Sequence, residues 1–397
     1  MRQAPSKALM LITVILMDLL AGIEFDLFVP SFPELQTQFN LTPSLVEALL
    51  SVNFIGYCLS LFFVGGLADR YGRKPIILIG LTTFTLGSIL CLWATAYPML
   101  LIGRFLQGVG IAAPAILSFI IIADSYPLKQ QQFYMAMLNG IMNTSVAIAP
   151  VAGSYISLYF HWQGNFFALL ALGIMTLVMV AIFTPNFKLP EHKETLSLRG
   201  YLPLIQSKPL MLLMTNIVFM FAPYWIFVGM SPLLYMKSLG VSLAHFGYYQ
   251  GALALVFGLG SVLFGFVMHR YKLNIMMALA GKLYYLSLIS VAAVAFLDSH
   301  NPLLITLAFL PFIVSQIIPS NMLAPLCLNF IPSAKAKIAA VLQGFRLIFT
   351  ALSLQLAGYF YQGSFRNIGI IISCFILAVI ISQFFVIRNR EIMKLSS

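Results

Sequence analysis

The sequence predicts an all-α membrane protein in which twelve transmembrane helices form two pseudo-symmetric six-helix bundles around a central cavity. Three observations carry the twelve membrane helices, and a polar linker with internal echoes carries their division into two bundles. Of the 397 residues, 61% are hydrophobic and only 8% charged, and mean hydropathy is +0.97. Soluble domains run near half apolar and a quarter charged. The apolar residues fall into runs of about 20, the length that crosses a bilayer. Lys and Arg are biased to alternate loops, as the positive-inside rule requires.

Twelve spans follow in order, at approximately 8–29, 45–68, 75–95, 98–122, 132–156, 162–184, 208–230, 244–268, 274–296, 302–322, 337–360 and 366–387. The first is too long for a removable signal peptide and has no small-residue cleavage site, so it reads as helix 1. With both termini on the cytoplasmic side, 17 of the 22 Lys and Arg lie in cytoplasmic segments and only Lys237 and Arg366 in outer loops. Arg104, Lys282 and Arg346 remain inside spans. This bias accounts for the net charge of +11. The bases are spread over many loops, which argues against nucleic acid as a partner. The four cysteines, Cys58, Cys91, Cys327 and Cys374, all fall in spans without CxxC spacing. They read as buried apolar side chains, with neither a metal site nor a disulfide framework expected.

The long polar connection, 185–207, divides the chain into an N-terminal bundle (1–184), a cytoplasmic linker and a C-terminal bundle (208–397). Local echoes support a duplicated half. GFVMHRYK (Gly265 to Lys272) parallels GLADRYGRK (Gly66 to Lys74), with His269 standing at the position of Asp69. MLNG (Met137 to Gly140) and VLQG (Val341 to Gly344) open helices 5 and 11.

The most informative stretch is GGLADRYGRKP, Gly65 to Pro75. Paired glycines allow close helix approach. Asp69 suits the first amides of a neighbouring helix, and Arg70, Arg73 and Lys74 hold the loop inside. Gly65, Asp69, Arg70, Gly72 and Arg73 resemble the loop between helices 2 and 3 of the major facilitator superfamily. GRFLQGVG (Gly103 to Gly110) contains Arg104, which resembles the intramembrane arginine of the twelve-helix drug:proton antiporters. AIAPVAGSY (Ala147 to Tyr155) is similar to the helix 5 motif of that group, in which Pro150 and Gly153 would bend and thin the helix at the seam between the halves. Ala149 and Ser154 stand where that motif often has glycine. DLFVPSFPEL (Asp26 to Leu35) resembles the acid-aromatic-Pro segment of the bicyclomycin-resistance branch.

Charges inside a membrane are costly and mark ion or substrate pathways. Helix 1 has three acids, Asp18, Glu24 and Asp26. Asp18 and Asp26 are separated by about 12 Å of rise and about 80° of rotation, so they can line one cavity at two depths. Glu24 lies about 200° from Asp26 and points elsewhere unless the helix breaks near Gly22. Asp26 and Arg104 both fall in the outer third of the membrane, where they are expected to pair. Asp18 falls close to midplane. A protonatable acid facing a fixed arginine makes a proton switch; the alternative is that these charges only hold helices 1 and 4 together. Asp124, at the cytoplasmic end of helix 4, reads as structural.

Arg346 lies near midplane on helix 11, either clamping an anionic substrate or bonding protein carbonyls. Tyr224 and Trp225 belong to an aromatic, Met-rich helix 7 that suits a soft cavity wall or core packing. Asn53, Tyr57, Asn139, Asn143 and Gln316 are candidate polar lining. The five His lack metal-ligand spacing, and nucleotide-binding and hydrolase motifs are lacking. No cofactor, metal or enzymatic activity is expected.

The resemblance implies a monomeric, proton-coupled secondary transporter of a bacterial inner membrane. It would work by alternating access on a small-molecule substrate and export drugs or small amphipathic molecules. The alternative substrate is an anionic metabolite such as a carboxylate siderophore. A membrane enzyme would need clustered catalytic residues, and a passive channel would not need the six-plus-six repeat.

Overall fold

The computed structural model describes residues 7–185, 202–267, 273–331 and 334–394. Among these residues every regular element is helical. Ten helices are long and apolar enough to cross a membrane. They are α3 (Pro43–Tyr71), α4 (Arg73–Leu92), α5 (Tyr97–Ser125), α6 (Leu128–Phe183), α8 (Lys208–Pro232), α9 (Leu243–Val267), α10 (Leu273–Phe296), α11 (Pro302–Asn329), α12 (Lys335–Phe360) and α13 (Phe365–Arg388). Helix α6 is 56 residues long and consists of two helices meeting at His161, whose φ is 58°. Its two arms match the expected spans 132–156 and 162–184. With α1 (Lys7–Ile23), they bring the crossings to the twelve that hydropathy predicts. Three short helices, α2 (Phe32–Gln38), α7 (Leu202–Gln206) and α14 (Arg390–Lys394), complete the set.

By its internal contacts the chain divides into two compact units. One comprises Met1–Leu41 and Ala48–Leu196; the other comprises Thr42–Glu47 and Ser197–Ser397. The polar connection falls mostly outside the described residues, as does the charged part of the GFVMHRYK echo (268–272).

The first span departs from expectation. Instead of running to residue 29, α1 ends at Ile23, and the chain passes through a turn into a 3₁₀ segment at Val29–Ser31 and then α2. Pro30 and Pro33 lack the amide hydrogens a continuous α-helix would use. Gly22 meanwhile brings α1 against α6, where an added Cβ would lie 3.1 Å from Ser145 Cβ. The break re-aims every side chain between Glu24 and Ser31.

Local chemistry also sets the kink at His161. Glu34 on α2 accepts from the Trp162 amide (2.9 Å) and lies 2.9 Å from His161 Nδ1. A carboxylate thus satisfies a free amide at the start of the second arm, as an N-cap does. Trp162 Nε1 donates to Gln38 Oε1 at 2.5 Å, and its ring is buried. Between α3 and α4 the turn is made by Gly72 at φ 96°, a backbone region that glycine enters without strain.

The first unit is built on close helix contact. At Gly108 of α5 a Cβ would lie 2.1 Å from the Asn53 carbonyl of α3. Such small-residue seams let apolar helices associate where lipid removes the hydrophobic drive. Its core holds Phe28, Phe32, Phe54, Phe84, Trp162 and Phe166. In the second unit Phe227 stacks on Phe309 at 4.6 Å, and Phe309 on Phe312 at 5.1 Å. Trp93, Tyr159 and Tyr359 lie exposed at helix ends, where aromatic rings suit a membrane interface.

Three of the cysteines are buried, but Cys374 is exposed, which corrects the reading of all four as core. It lies in an apolar groove with Leu288, Ala292, Phe296, Ile370 and Leu377, on faces of α10 and α13. A thiol is apolar enough to stand on such a surface.

Candidate functional site

The first unit contains a fully buried ion pair. Arg104 on α5 and Glu24, just past the end of α1, each have 0% side-chain exposure, and Arg104 Nη1 lies 2.9 Å from Glu24 Oε1. Asn53 Nδ2 on α3 donates to the same Glu24 oxygen at 2.6 Å and to the Arg104 carbonyl at 3.0 Å. Arg104 Nη1 also donates to Gln107 Oε1 (2.7 Å) and its Nε to the Leu49 carbonyl (3.3 Å). Gln107 Nε2 donates onward to Ser88 Oγ on α4 at 2.8 Å. The Phe28 ring covers the guanidinium at 4.0 Å from its centroid. A charge pair survives burial only with this density of hydrogen bonds, since desolvating each ion otherwise exceeds their attraction.

The expected pairing of Asp26 with Arg104 is therefore corrected: Glu24 meets the arginine. The condition under which Glu24 could turn inward, a break near Gly22, is what the chain adopts. Asn53, expected to line the cavity, is 0% exposed and spends its donors inside this network. Asp26 is itself buried, at 2% exposure. Asp18, in the last two turns of α1, is 1% exposed, and neither of its carboxylate oxygens has a hydrogen-bond partner among the described residues.

At the other end of α3 the charged loop forms a second cluster. Arg73 Nε lies 2.6 Å from Asp124 Oδ2 at the end of α5, while Asp69 stands 3.8 Å from Arg73. Lys74 Nζ donates to the Ala181 carbonyl of α6 at 2.8 Å. The tighter of the two acid contacts is thus made by Asp124, and the partner of Asp69 is a guanidinium rather than the amides of another helix. Gly65 departs from expectation as well: an added Cβ would meet no described atom within 4 Å. The close approach occurs at Gly108 instead. Arg70 lies over the Tyr71 ring at 5.3 Å. We expect Arg73→Gln to lower the unfolding temperature of the purified protein in detergent more than Asp69→Asn does, because it removes both acid contacts at once. A larger loss from Asp69→Asn would reverse that ranking.

On α6, Pro150 sits within continuous helix. Gly153 packs on the turn after α1, where a Cβ would fall 1.9 Å from the Leu27 carbonyl. The thinning at Gly153 therefore serves packing inside the first unit. Nearby, Asn165 Nδ2 donates to Ser157 Oγ (2.7 Å) and Ser31 Oγ (2.8 Å), tying both arms of α6 to the 3₁₀ segment. Tyr57 is half-buried, with its ring 6.0 Å from Phe25. Asn139 and Asn143 lie on α6, with side chains outside the described set.

In the second unit Arg346 is half-buried, with its guanidinium 4.4 Å from the Phe221 ring centroid on α8. Tyr224 and Trp225 are half-buried with rings 5.8 Å apart. Gln316 is 3% exposed.

Three participants escaped the sequence reading. Gln107 lies one turn from Arg104, a spacing that puts both on one face. Glu34 and Glu47 each sit within the opening turns of a helix, where acids are commonplace and carry no distinguishing signal. Glu47, at 0% exposure, is buried as deeply as Glu24.

Among the described residues, ten helices long and apolar enough to cross a membrane and a buried ion pair at the first helix break make this a multi-pass membrane protein. The family model described as Major Facilitator Superfamily matches residues 14–354, and the chain belongs to that superfamily of transporters. It is not an enzyme. It is 27% identical over 253 residues to a bicyclomycin resistance protein homolog of Haemophilus influenzae, covering 63% of this chain and 64% of that one. It is 30% identical over 250 residues to the multidrug resistance protein MdtL of Escherichia coli (strain UTI89 / UPEC), covering 60% of each. These matches span about three fifths of the relatives' length. Among solved structures, a peptide transporter in complex with sulfate superposes with a TM-score of 0.78 at 13% identity, covering 98% of this chain and 95% of that one. A D-xylose-proton symporter gives 0.74 at 14% identity, covering 94% and 97%. At such identities the likeness is one of fold.

Proposed function

We propose that this chain is a proton-coupled secondary active transporter that works by alternating access and exports drugs or small amphipathic molecules. The observation that carries the reading is the group of three buried acids at and after the end of α1. One is bound to Arg104, and Asp18 lacks a hydrogen-bond partner among the described residues. A fixed guanidinium holds Glu24 in place, while Asp18 and Asp26 are the carboxyls free to gain and lose a proton. The names of the curated relatives, bicyclomycin resistance and multidrug resistance, support drug efflux. In this reading the chain is a monomer of a bacterial inner membrane. Two six-helix bundles are joined by the 185–207 linker, and both termini are cytoplasmic.

The test is a pH jump on purified protein in liposomes. An acid-lumen gradient should drive uptake of a cationic amphipathic dye, and a protonophore should collapse it. Dye movement indifferent to the protonophore would reject proton coupling.

The seat of Arg346 on Phe221 favours this substrate class over an anionic metabolite, because an aromatic face already offsets part of the cost of burying the cation. Arg346→Gln is expected to lower stability by about 0.5–2 kcal/mol, the range of a cation–π contact. It should alter the binding of cationic and anionic ligands alike. Selective loss of polycarboxylate binding, read by thermal shift, would instead establish the anionic-metabolite carrier.

A further inference from the structure

Within the second unit α10 packs on α13, and the groove that holds Cys374 runs between them. Helix α10 supplies Leu288, Ala292 and Phe296, and α13 supplies Ile370, Ser373, Cys374 and Leu377. The first set is spaced i, i+4, i+8 and the second i, i+3, i+4, i+7, so each helix contributes one stripe. Ser373 Oγ donates to the Gly369 carbonyl at 2.7 Å, which spends its proton inside the helix. The groove is therefore apolar along its length, about 12 Å of helix rise from Leu288 to Phe296. Its volume is about 210 Å³. An apolar space of about 150 Å³ stays dry and admits benzene, so this one has room for a segment of alkyl chain. Phe296, Ile370 and Leu377 are 70%, 38% and 45% exposed, and the groove opens outward from the two helices.

One end of the groove carries charge. Arg366 precedes Ile370 by four residues, which puts it on the same stripe of α13, and it is exposed. Asp298 follows the end of α10 by two residues, and its Oδ1 accepts from the Arg366 amide at 3.3 Å. An acid and a base thus meet at the mouth, beside Phe296 and Ile370. None of the ion pairs among the described residues joins them. His300, in the same loop, is exposed. Neighbouring charges of opposite sign that do not neutralise each other match a ligand carrying both signs. A guanidinium offers a phosphodiester paired donors, and a carboxylate suits an ammonium.

We propose that this groove binds one zwitterionic phospholipid, with an acyl chain lying along α10 and α13, its phosphate at Arg366 and its ammonium at Asp298. An anionic lipid could fill the groove equally well, but its headgroup would bring Asp298 no cation. The site belongs to the second unit alone, and its occupancy does not depend on proton coupling.

The experiment uses full-length protein carrying Phe296→Trp, in vesicles of phosphatidylglycerol with a minor share of phosphatidylcholine brominated on its acyl chains. Bromine quenches a tryptophan that it touches, and the parent protein with its three native tryptophans supplies the background. Ile289→Trp, at a position of α10 that is 67% exposed and outside the groove, reports ordinary lipid contact. Moving the bromines to phosphatidylglycerol then gives the headgroup preference at each position. At Phe296→Trp phosphatidylcholine should be preferred about fivefold, equivalent to about 1 kcal/mol, the upper range of an exposed ion pair. At Ile289→Trp neither lipid should be preferred. Adding Arg366→Ala should abolish the preference, and adding Asp298→Asn should turn it towards phosphatidylglycerol. Leu377→Trp reports from the far end of the groove and keeps the test alive if Phe296→Trp fails to fold. Equal preference inside and outside the groove would overturn the proposal and leave ordinary lipid contact. A preference that survives Arg366→Ala, or that favours phosphatidylglycerol from the start, would overturn it as well. So would a groove tryptophan that neither lipid quenches, since protein would then cover the groove.

Discussion

Glu24→Ala should unfold at markedly lower temperature than the parent protein, with a loss of about 3–5 kcal/mol. That is the range for removing one partner of a buried ion pair. The substitution strands the Arg104 guanidinium at 0% exposure. It also strands the Asn53 amide that shares the Glu24 oxygen. Glu24→Gln keeps an acceptor for both donors and should lose less. Replacing both charges, Glu24→Gln with Arg104→Gln, should recover part of the loss, because an uncompensated charge is worse than a neutral polar pair. The check is thermal unfolding of purified protein in detergent, scored as a double-mutant cycle. If Glu24→Ala melts with the parent, the pair does not hold the helix break, and the packing of Phe28 and Gly153 must carry it alone.

The second large effect is expected at Asp18. Asp18→Asn preserves volume and removes a titrating proton, so the protein should insert and melt normally. Gradient-driven accumulation should fall to the level of passive equilibration, because the carboxyl that would carry the proton is gone. The missing partner is what singles Asp18 out. An acid without a hydrogen-bond partner among the described residues loses little structure on substitution. The measurement is dye accumulation in liposomes with and without an imposed pH gradient. Passive equilibration should survive in Asp18→Asn while the gradient-driven component disappears. Should Asp26→Asn abolish the gradient response and Asp18→Asn leave it intact, the proton site moves to Asp26.

Much of the site was visible in the residues. Arg104, the acids of the first span and the Gly65–Pro75 loop all stand out because a charge in an apolar run is rare and costly. The kink of α6 was legible as the gap between two hydropathy spans, and His161 falls in that gap. Other features were hidden by the rule that found the first set. Glu47 lies two residues inside an expected span, next to turn-forming Thr42 and Pro43, and so read as an ordinary helix start. Gln107 and Asn53 carry no charge. Their importance comes from whose hydrogen bonds they satisfy, which depends on α3, α4 and α5 meeting at the same level.

Length, hydropathy and the Lys and Arg bias by themselves determined that this chain is a twelve-span, all-helical membrane protein. They determined as well which few charges must be held inside it, because a bilayer forbids unsatisfied backbone and makes every buried charge conspicuous. Only the tertiary structure decided which acid meets the arginine. Helical geometry assigns Asp26 to Arg104 on a straight helix 1. The chain instead ends α1 at Ile23 and turns through Val29–Ser31, which swings Glu24 onto Arg104. That break is set by the packing of Gly22, Gly153 and Phe28 against distant segments. A partner chosen by contacts more than 100 residues away in sequence has no local signature.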